Sequence, residues 1–401
     1  GDTHLKQLIE SEIKNYAKDN NIKVEFNKYS EEELKAEDYI LKRNIAVVDG
    51  NADIVIGDIY SNMIQISKYA GDYTKLNNYK NIFENYKGKY CIPIGSYMNT
   101  IILDKQVIKS YGIECDKYIT MEQYYEIKQT MKENGAQIRY DRIEDMQLFN
   151  YYINKNNLAM IKNDDKYDID RDLAMKTIKE ISKDLQEHYI VDMDFEKREE
   201  QIYSTGDYNQ IIFDEASGRP LAQRGEFYPL KFMSFTGKYE LPFEDYSIVL
   251  RNEIEEEGMD RVPCVFINKN TKKDNSYKIA DFLISDKFQT KIYKNTLVYS
   301  TIIDTPEIKE QIGYDKDWNY KFDFKEAKKF DQELDEINVN NMIKAVQKSY
   351  EIFKNTDTNK LFNVPREYNN AVREFLIREV YKLIDNPSYD EAEFNKNADE
   401  F

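Results

Sequence analysis

The sequence predicts an α/β fold, and three observations predict it. The chain opens on an amphipathic stretch with Leu5, Leu8, Ile9, Ile13 and Tyr16 at helical spacing. Residues Ile22–Phe26 then alternate apolar and polar, the pattern of a strand. An acidic helix over 30–43 follows, and then the apolar run Ile54-Val55-Ile56, stopped by Gly57 and Asp58 as a strand buried on both faces would be. Helix, strand, helix, strand at this pace fits a parallel sheet covered by helices. Ligands of such sheets gather at the carboxyl ends of strands. That makes Asp58, Tyr60, Ser61 and Asn62 candidate ligand contacts.

Further elements follow in order. Residues 69–90 read as loops and short helices. Tyr90–Ile94 reads as a strand, Gly95–Asn99 as a loop, and Thr100–Asp104 as a second apolar strand. Helices over 106–111 and 121–134 stop at Gly112 and Gly135, because glycine takes the left-handed cap conformation without penalty. Residues 141–165 read as helix and then turn. Leu173, Ile178, Ile181 and Leu185 mark one apolar face of a helix over 170–187. Tyr208–Phe213 is a strand ending in the loop 214–220, a second ligand-facing candidate with Asp214 and Glu215 at its start. Strands are expected at 228–236, 246–251 and 262–268, and a single helix over 276–293. The chain from 306 onward reads as mostly helical, closing with an acidic helix from about Tyr389.

Composition narrows the chemistry. With 401 residues the chain can form two or three domains with sizeable cores. Lys plus Arg number 57 against 74 Asp plus Glu, a net charge of −17 that repels phosphate backbones and argues against general nucleic-acid binding. Only His4 and His188 are available for histidine chemistry. Cys91, Cys115 and Cys264 lack the spacing of a metal or redox motif, so no cofactor or metal is expected. The dinucleotide fingerprint, the phosphate-binding loop, the nucleophile elbow and the zinc-protease motif are all missing. Asp315–Asn319 alternates oxygen ligands but lacks the glycine and terminal glutamate of a calcium loop, and reads as a polar turn. The Asp214-Glu215 pair admits three readings: a solvated loop, a hydrogen-bonding pair for ligand hydroxyls or a cation, or a catalytic acid/base pair. Arg219 and Arg224 could anchor a carboxylate bidentately or serve as surface charge.

The order of segments resembles the extracellular solute-binding proteins of bacterial ABC importers, in the sugar-binding family that includes maltose-binding protein. Ala52-Asp53-Ile54-Val55-Ile56-Gly57-Asp58 is similar to the family's PDIV strand and loop. Tyr86-Lys87-Gly88-Lys89-Tyr90, with Ile92-Pro93, is similar to its YxGKxY…P segment. Thr100–Lys105 and Ser110–Ile113 resemble its ALYYNK…KAGI segment. Phe266–Asn270 and Ala280–Gln289 resemble its IxKxS…AxxFLxxSxxxQ segment, and Asp390–Glu393 its final EEA helix.

The resemblance implies a two-lobe periplasmic-binding-protein-like fold with hinge-connected lobes and a central ligand cleft. Lobe one is expected at 1–106 and 265–312, lobe two at 107–264 and 313–401. The implied role is non-enzymatic capture of a carbohydrate, an oligosaccharide, for the permease subunits of the importer, by a monomer. The location implied is extracytoplasmic, with a leading strand and an N-terminal lipid anchor lying before Gly1. The expected ligand contacts are Asp58, Tyr60, Ser61, Ser96, Tyr97, Asp214, Glu215 and Tyr299. Alternatives are a polyamine or other cationic ligand, suggested by Asp58, Asp214, Glu215 and the net charge, and a glycoside-processing enzyme with paired carboxylates.

Overall fold

The computed structural model describes residues 3–27, 36–57, 61–191, 210–214, 219–225, 246–252, 262–301, 348–356 and 366–400, apart from positions 89, 141, 159, 164–165, 272–273, 297 and 387. It is mixed α/β, with two hydrophobic cores.

The first core forms around three short strands. Helix α1 (Thr3–Asp19) buries Leu5, Ile9, Ile13 and Ala17, one side chain per turn. After it, Ile22 is buried and Val24 and Phe26 are half-buried, so the alternation read from the sequence is real. Among the described residues the segment carries no strand assignment, and the expected strand is corrected to an irregular segment whose apolar side chains pack on the first core. Helix α2 spans Ala36–Val48. Strands β1 (Ile54–Gly57), β2 (Ile92–Pro93) and β12 (Cys264–Ile267) form a sheet in the order β1-β12-β2, with β12 fully buried at its centre. Both pairings are antiparallel, which corrects the parallel sheet expected here. The reason is that β1 pairs with a strand some 200 residues later in the sequence, so the local helix–strand rhythm does not choose its neighbour.

The second core lies against a seven-stranded sheet. Its strands are β3 (Met98–Asp104), β4 (Tyr118–Thr120), β5 (Ile138–Tyr140), β8 (Tyr189–Val191), β9 (Gln210–Asp214), β10 (Arg219–Gly225) and β11 (Tyr246–Asn252), in the order β4-β11-β3-β10-β9-β5-β8. Only β11–β4 and β5–β8 are parallel pairs among the described strands. A separate hairpin joins β6 (Met160–Asn163) and β7 (Lys166–Ile169). The expected loop at 214–220 is cut short, because β10 already begins at Arg219 and pairs with β9 and β3. Pro220 has no N–H to donate, and the ladder shifts register between Pro220 and Ala222.

Helices α3 (Lys105–Ser110), α4 (Met121–Glu133), α5 (Arg142–Lys155) and α6 (Arg171–His188) follow the expected spacing. Asp104 caps α3, Asp170 caps α6, and Thr120 with Gln123 forms a capping box on α4. Gly112 and Gly135 stop their helices at φ +75° and +85°. The single helix expected over 276–293 is two, α7 (Asp274–Leu283) and α8 (Asp286–Asn295). Ser285 divides them because its hydroxyl accepts the Phe288 N–H as an N-cap. Helices α9 (Arg366–Asp385) and α10 (Glu391–Glu400) end the chain against the second core.

Strands β3 and β11 serve both cores. Met98, Ile248 and Leu250 pack into the first, and Ile101, Leu103 and Val249 into the second. The helical residues 348–355 add Tyr350 and Phe353 to the first core. Expectations at 228–236 and at 306–347 lie outside the described residues. No helix among the described residues is long and apolar enough to cross a membrane.

Candidate functional site

The best-defined part of the expected site lies where β2 leads into β3. Ser96 and Tyr299 sit in separate segments, 95–97 and 298–301, and a two-way backbone bridge joins them. The Ser96 N–H donates to the Tyr299 carbonyl at 2.9 Å, and the Tyr299 N–H donates to the Ser96 carbonyl at 2.8 Å. Gly95 permits the approach, since a Cβ there would lie 2.0 Å from Val298 Cγ1. Ser96 is buried. The Tyr299 ring is enclosed by Tyr350 and Phe353, with ring centres 5.8 and 5.4 Å away. Tyr97 is half-buried against the first core, one residue before β3.

The other expected contacts come from separate segments. Ser61 opens a 3-10 helix, Ser61–Tyr69, shortly after β1 ends. Asp58 and Tyr60, between them, lie outside the described residues, as does Glu215. Asp214 is the last residue of β9, opposite Arg219 of β10 and beside Ile138 of β5. In the sheet β9 stands two places from β3, the strand that Ser96 and Tyr97 lead into. The structure therefore joins Ser96 to Tyr299, keeps Tyr97 beside them, and puts Asp214 on the larger sheet. Arg219 and Arg224 are strand residues of β10.

Sequence reasoning missed the polar side chains that hold this junction. Gln289 of α8 is fully buried. Its amide donates to the carbonyls of Ile94 at 3.0 Å and Leu283 at 2.8 Å, and its oxygen accepts from the Ser300 hydroxyl at 2.7 Å. The Thr301 hydroxyl donates to the Pro93 carbonyl at 2.9 Å. Asn268, also buried, donates to the carbonyls of Val47 and Ala52 at 2.8 and 3.1 Å and so fixes the entry to β1. The Tyr73 hydroxyl accepts from Ile267 N–H and donates to the Tyr90 carbonyl, and burial pushes its pKa up, so it stays a neutral donor. Asn268 and Gln289 both fall inside the segments that carry the family resemblance, which is the signal that could have found them. Among the described residues, no cluster of three His, Cys, Asp or Glu side chains is placed to hold a metal ion.

No protein-family model matches the chain, and no curated protein matches it. Solved structures do. A putative oligosaccharide periplasmic-binding protein from Synechococcus sp. MITs9220 matches with a TM-score of 0.59 at 9% identity, over 100% of this chain and 95% of its own. An extracellular solute-binding protein family 1 member from Alicyclobacillus acidocaldarius subsp. acidocaldarius DSM 446 matches at 0.53 and 13% identity, over 100% of this chain and 95% of its own. An uncharacterized protein from Listeria monocytogenes EGD-e matches at 0.53 and 14% identity, over 98% of this chain and 96% of its own. At such identities the likeness is one of fold. The chain shares the fold of these periplasmic solute-binding proteins.

Proposed function

We propose that this chain is the extracytoplasmic solute-binding component of an ABC importer and that it captures a carbohydrate, an oligosaccharide, without altering it. The observation that carries the reading is the full-length fold likeness to a protein described as an oligosaccharide periplasmic-binding protein. Strands that pack into both cores suit the mechanism, in which two lobes close about a hinge and the ligand shifts the open–closed equilibrium by touching both. Lobe one is assigned to 1–106 and 265–312, lobe two to 107–264 and 313–401.

In this reading Asp58, Tyr60, Ser61, Ser96 and Tyr97 present the ligand surface of lobe one, and Asp214 and Glu215 that of lobe two. Tyr299, expected as a direct contact, has its ring buried against Tyr350 and Phe353, so in this reading it is reassigned to holding Ser96 through their backbone bridge. Tyrosine faces suit sugar C–H surfaces, and short polar groups suit hydroxyls. The importer's permease is the proposed partner, the protein acts as a monomer, and an N-terminal lipid anchor before Gly1 is its proposed attachment.

A thermal-shift panel of maltotriose, xylotriose and spermidine tests this. At one hundred times Kd a ligand stabilises the folded state by about 2.7 kcal/mol, enough to read as a shift in Tm. A sugar is expected to raise Tm and to be recovered intact. A shift with spermidine alone would favour a cationic ligand, and cleavage of the sugar would favour the enzyme. Asp214→Ala should weaken sugar binding about tenfold with Tm unchanged, the loss of one charged hydrogen-bonding partner. Unchanged affinity removes Asp214 from the site.

A further inference from the structure

We propose that Gln289 is a positioning residue that locks the base of β3, and so sets the geometry of Ser96 and Tyr97. Its bearing on ligand capture rests on the function proposed above. Three observations meet at one place. First, the Gln289 side chain uses both amide N–H groups and its oxygen, bonding Ile94, Leu283 and Ser300. These three partners belong to the approach to β3, the end of α7 and the segment after α8. Second, Ser96 and Tyr299, one or two residues from those partners, exchange two backbone hydrogen bonds. Third, Gly95 is wedged against Val298, where a Cβ would meet Cγ1 at 2.0 Å.

A fully buried amide with both donors and its oxygen engaged has little freedom to rearrange, since each bond lost leaves a desolvated carbonyl or hydroxyl. Gln289 thus ties the start of the strand shared by both cores to the helix pair α7–α8. Movement between the cores must then be taken up beyond Ser96, along β3, rather than in the loop that carries the proposed contacts. Glutamine suits the position because it donates twice and accepts once without bringing a charge into the core. Glutamate would lose both donors, and leucine all three bonds.

The full chain is compared with Gln289→Met, which removes the bonds at similar volume, and with Phe394→Leu, which opens space in the second core where Phe394 is buried against Phe375. Hydrogen exchange is read at the Ser96 and Tyr299 amides, together with maltotriose affinity. Gln289→Met should speed exchange at both amides about tenfold and weaken maltotriose about tenfold, whereas Phe394→Leu lowers Tm and moves neither. Should Gln289→Met fail to fold, Ser300→Ala removes one bond and should shift exchange in the same direction by less. The proposal is overturned if the two amides keep wild-type exchange in the Gln289 and Ser300 variants, or if Phe394→Leu speeds them equally. It is also overturned as a matter of ligand capture if exchange rises while sugar affinity stays. If the wild-type protein binds no sugar, the proposed function is what fails, and exchange alone decides the role of Gln289.

Discussion

The two cores are held by different polar chemistry. In the first, buried amides and a hydroxyl bond to backbone carbonyls: Asn268 to Val47 and Ala52, Gln289 to Ile94 and Leu283, Thr301 to Pro93. Half-buried Asn85 does the same with Phe353 and Thr356, and an ion pair, Glu12 with Lys291, joins α1 to α8. In the second, hydroxyls such as Ser182 also bond to helix carbonyls, but the buried charged side chains bond to other side chains. Lys132 Nζ lies 2.7 Å from Asp184 Oδ2, which also accepts from the Tyr152 hydroxyl at 2.9 Å, and all three residues are buried. Fully buried Glu379 accepts from Lys382, Tyr389 and Asn397, tying α9 to α10. The backbone explains the contrast. Beside its helices, the first core contains four 3-10 turns, strands of two to four residues and connecting segments, and carbonyls there that lack a ladder partner take a side-chain donor. The second is dominated by long helices that satisfy their own backbones, leaving polar side chains to pair among themselves. Neutral amides keep their bonds at any pH, and carboxylates do not.

Four measurements test this contrast between the cores. The largest effect is expected from Asp184→Ala, which leaves the Lys132 ammonium buried without its carboxylate and should cost about 3–5 kcal/mol in urea unfolding. A loss of about 1 kcal/mol or less, typical of an exposed pair, would mean that the ionic network does not hold the second core. Next is Gly95→Ala in the first core. Val298 is β-branched and stiff, so the clash should cost about 1–3 kcal/mol, and a neutral result in the same unfolding assay would show that the junction is loose. Asp170→Ala removes the cap of α6, whose carboxylate accepts the Leu173 N–H, and should cost about 1 kcal/mol by thermal melting.

The smallest effect at neutral pH concerns Glu379. Burial pushes its carboxyl up, but the hydrogen bonds from Lys382, Tyr389 and Asn397 outweigh burial and hold it below its ordinary value. A carboxyl lowered in the folded state stabilises above its unfolded pKa of about 4.3 and loses that stabilisation as pH falls toward the folded value. Melting temperature should therefore drop below about pH 4.3, and Glu379→Gln should flatten the drop. An identical pH profile in the two proteins would assign acid sensitivity elsewhere.

Much of the fold was legible in the amino-acid order. The spacing of Leu173, Ile178, Ile181 and Leu185 marks α6, and all but the first are fully buried. Gly112 and Gly135 end helices because the left-handed cap is cheap for them. Short strands were harder: β4, β5 and β8 have three residues each, too few for a period of two to show. Pairing was hardest, as β1 shows by choosing β12. At the candidate site, Ser96 and Tyr299 were both expected, but their mutual bridge was not, because it joins residues some 200 positions apart.

Spacing along the chain marks the long helices and the longer apolar strands, because those choices depend on neighbours within a turn or a pleat. The antiparallel pairing of the first sheet, the inward ring of Tyr299 and the three-way bonding of Gln289 come from contacts between distant segments. A buried carbonyl takes whichever donor the folded chain brings within reach, and reach in space is not written in spacing along the chain.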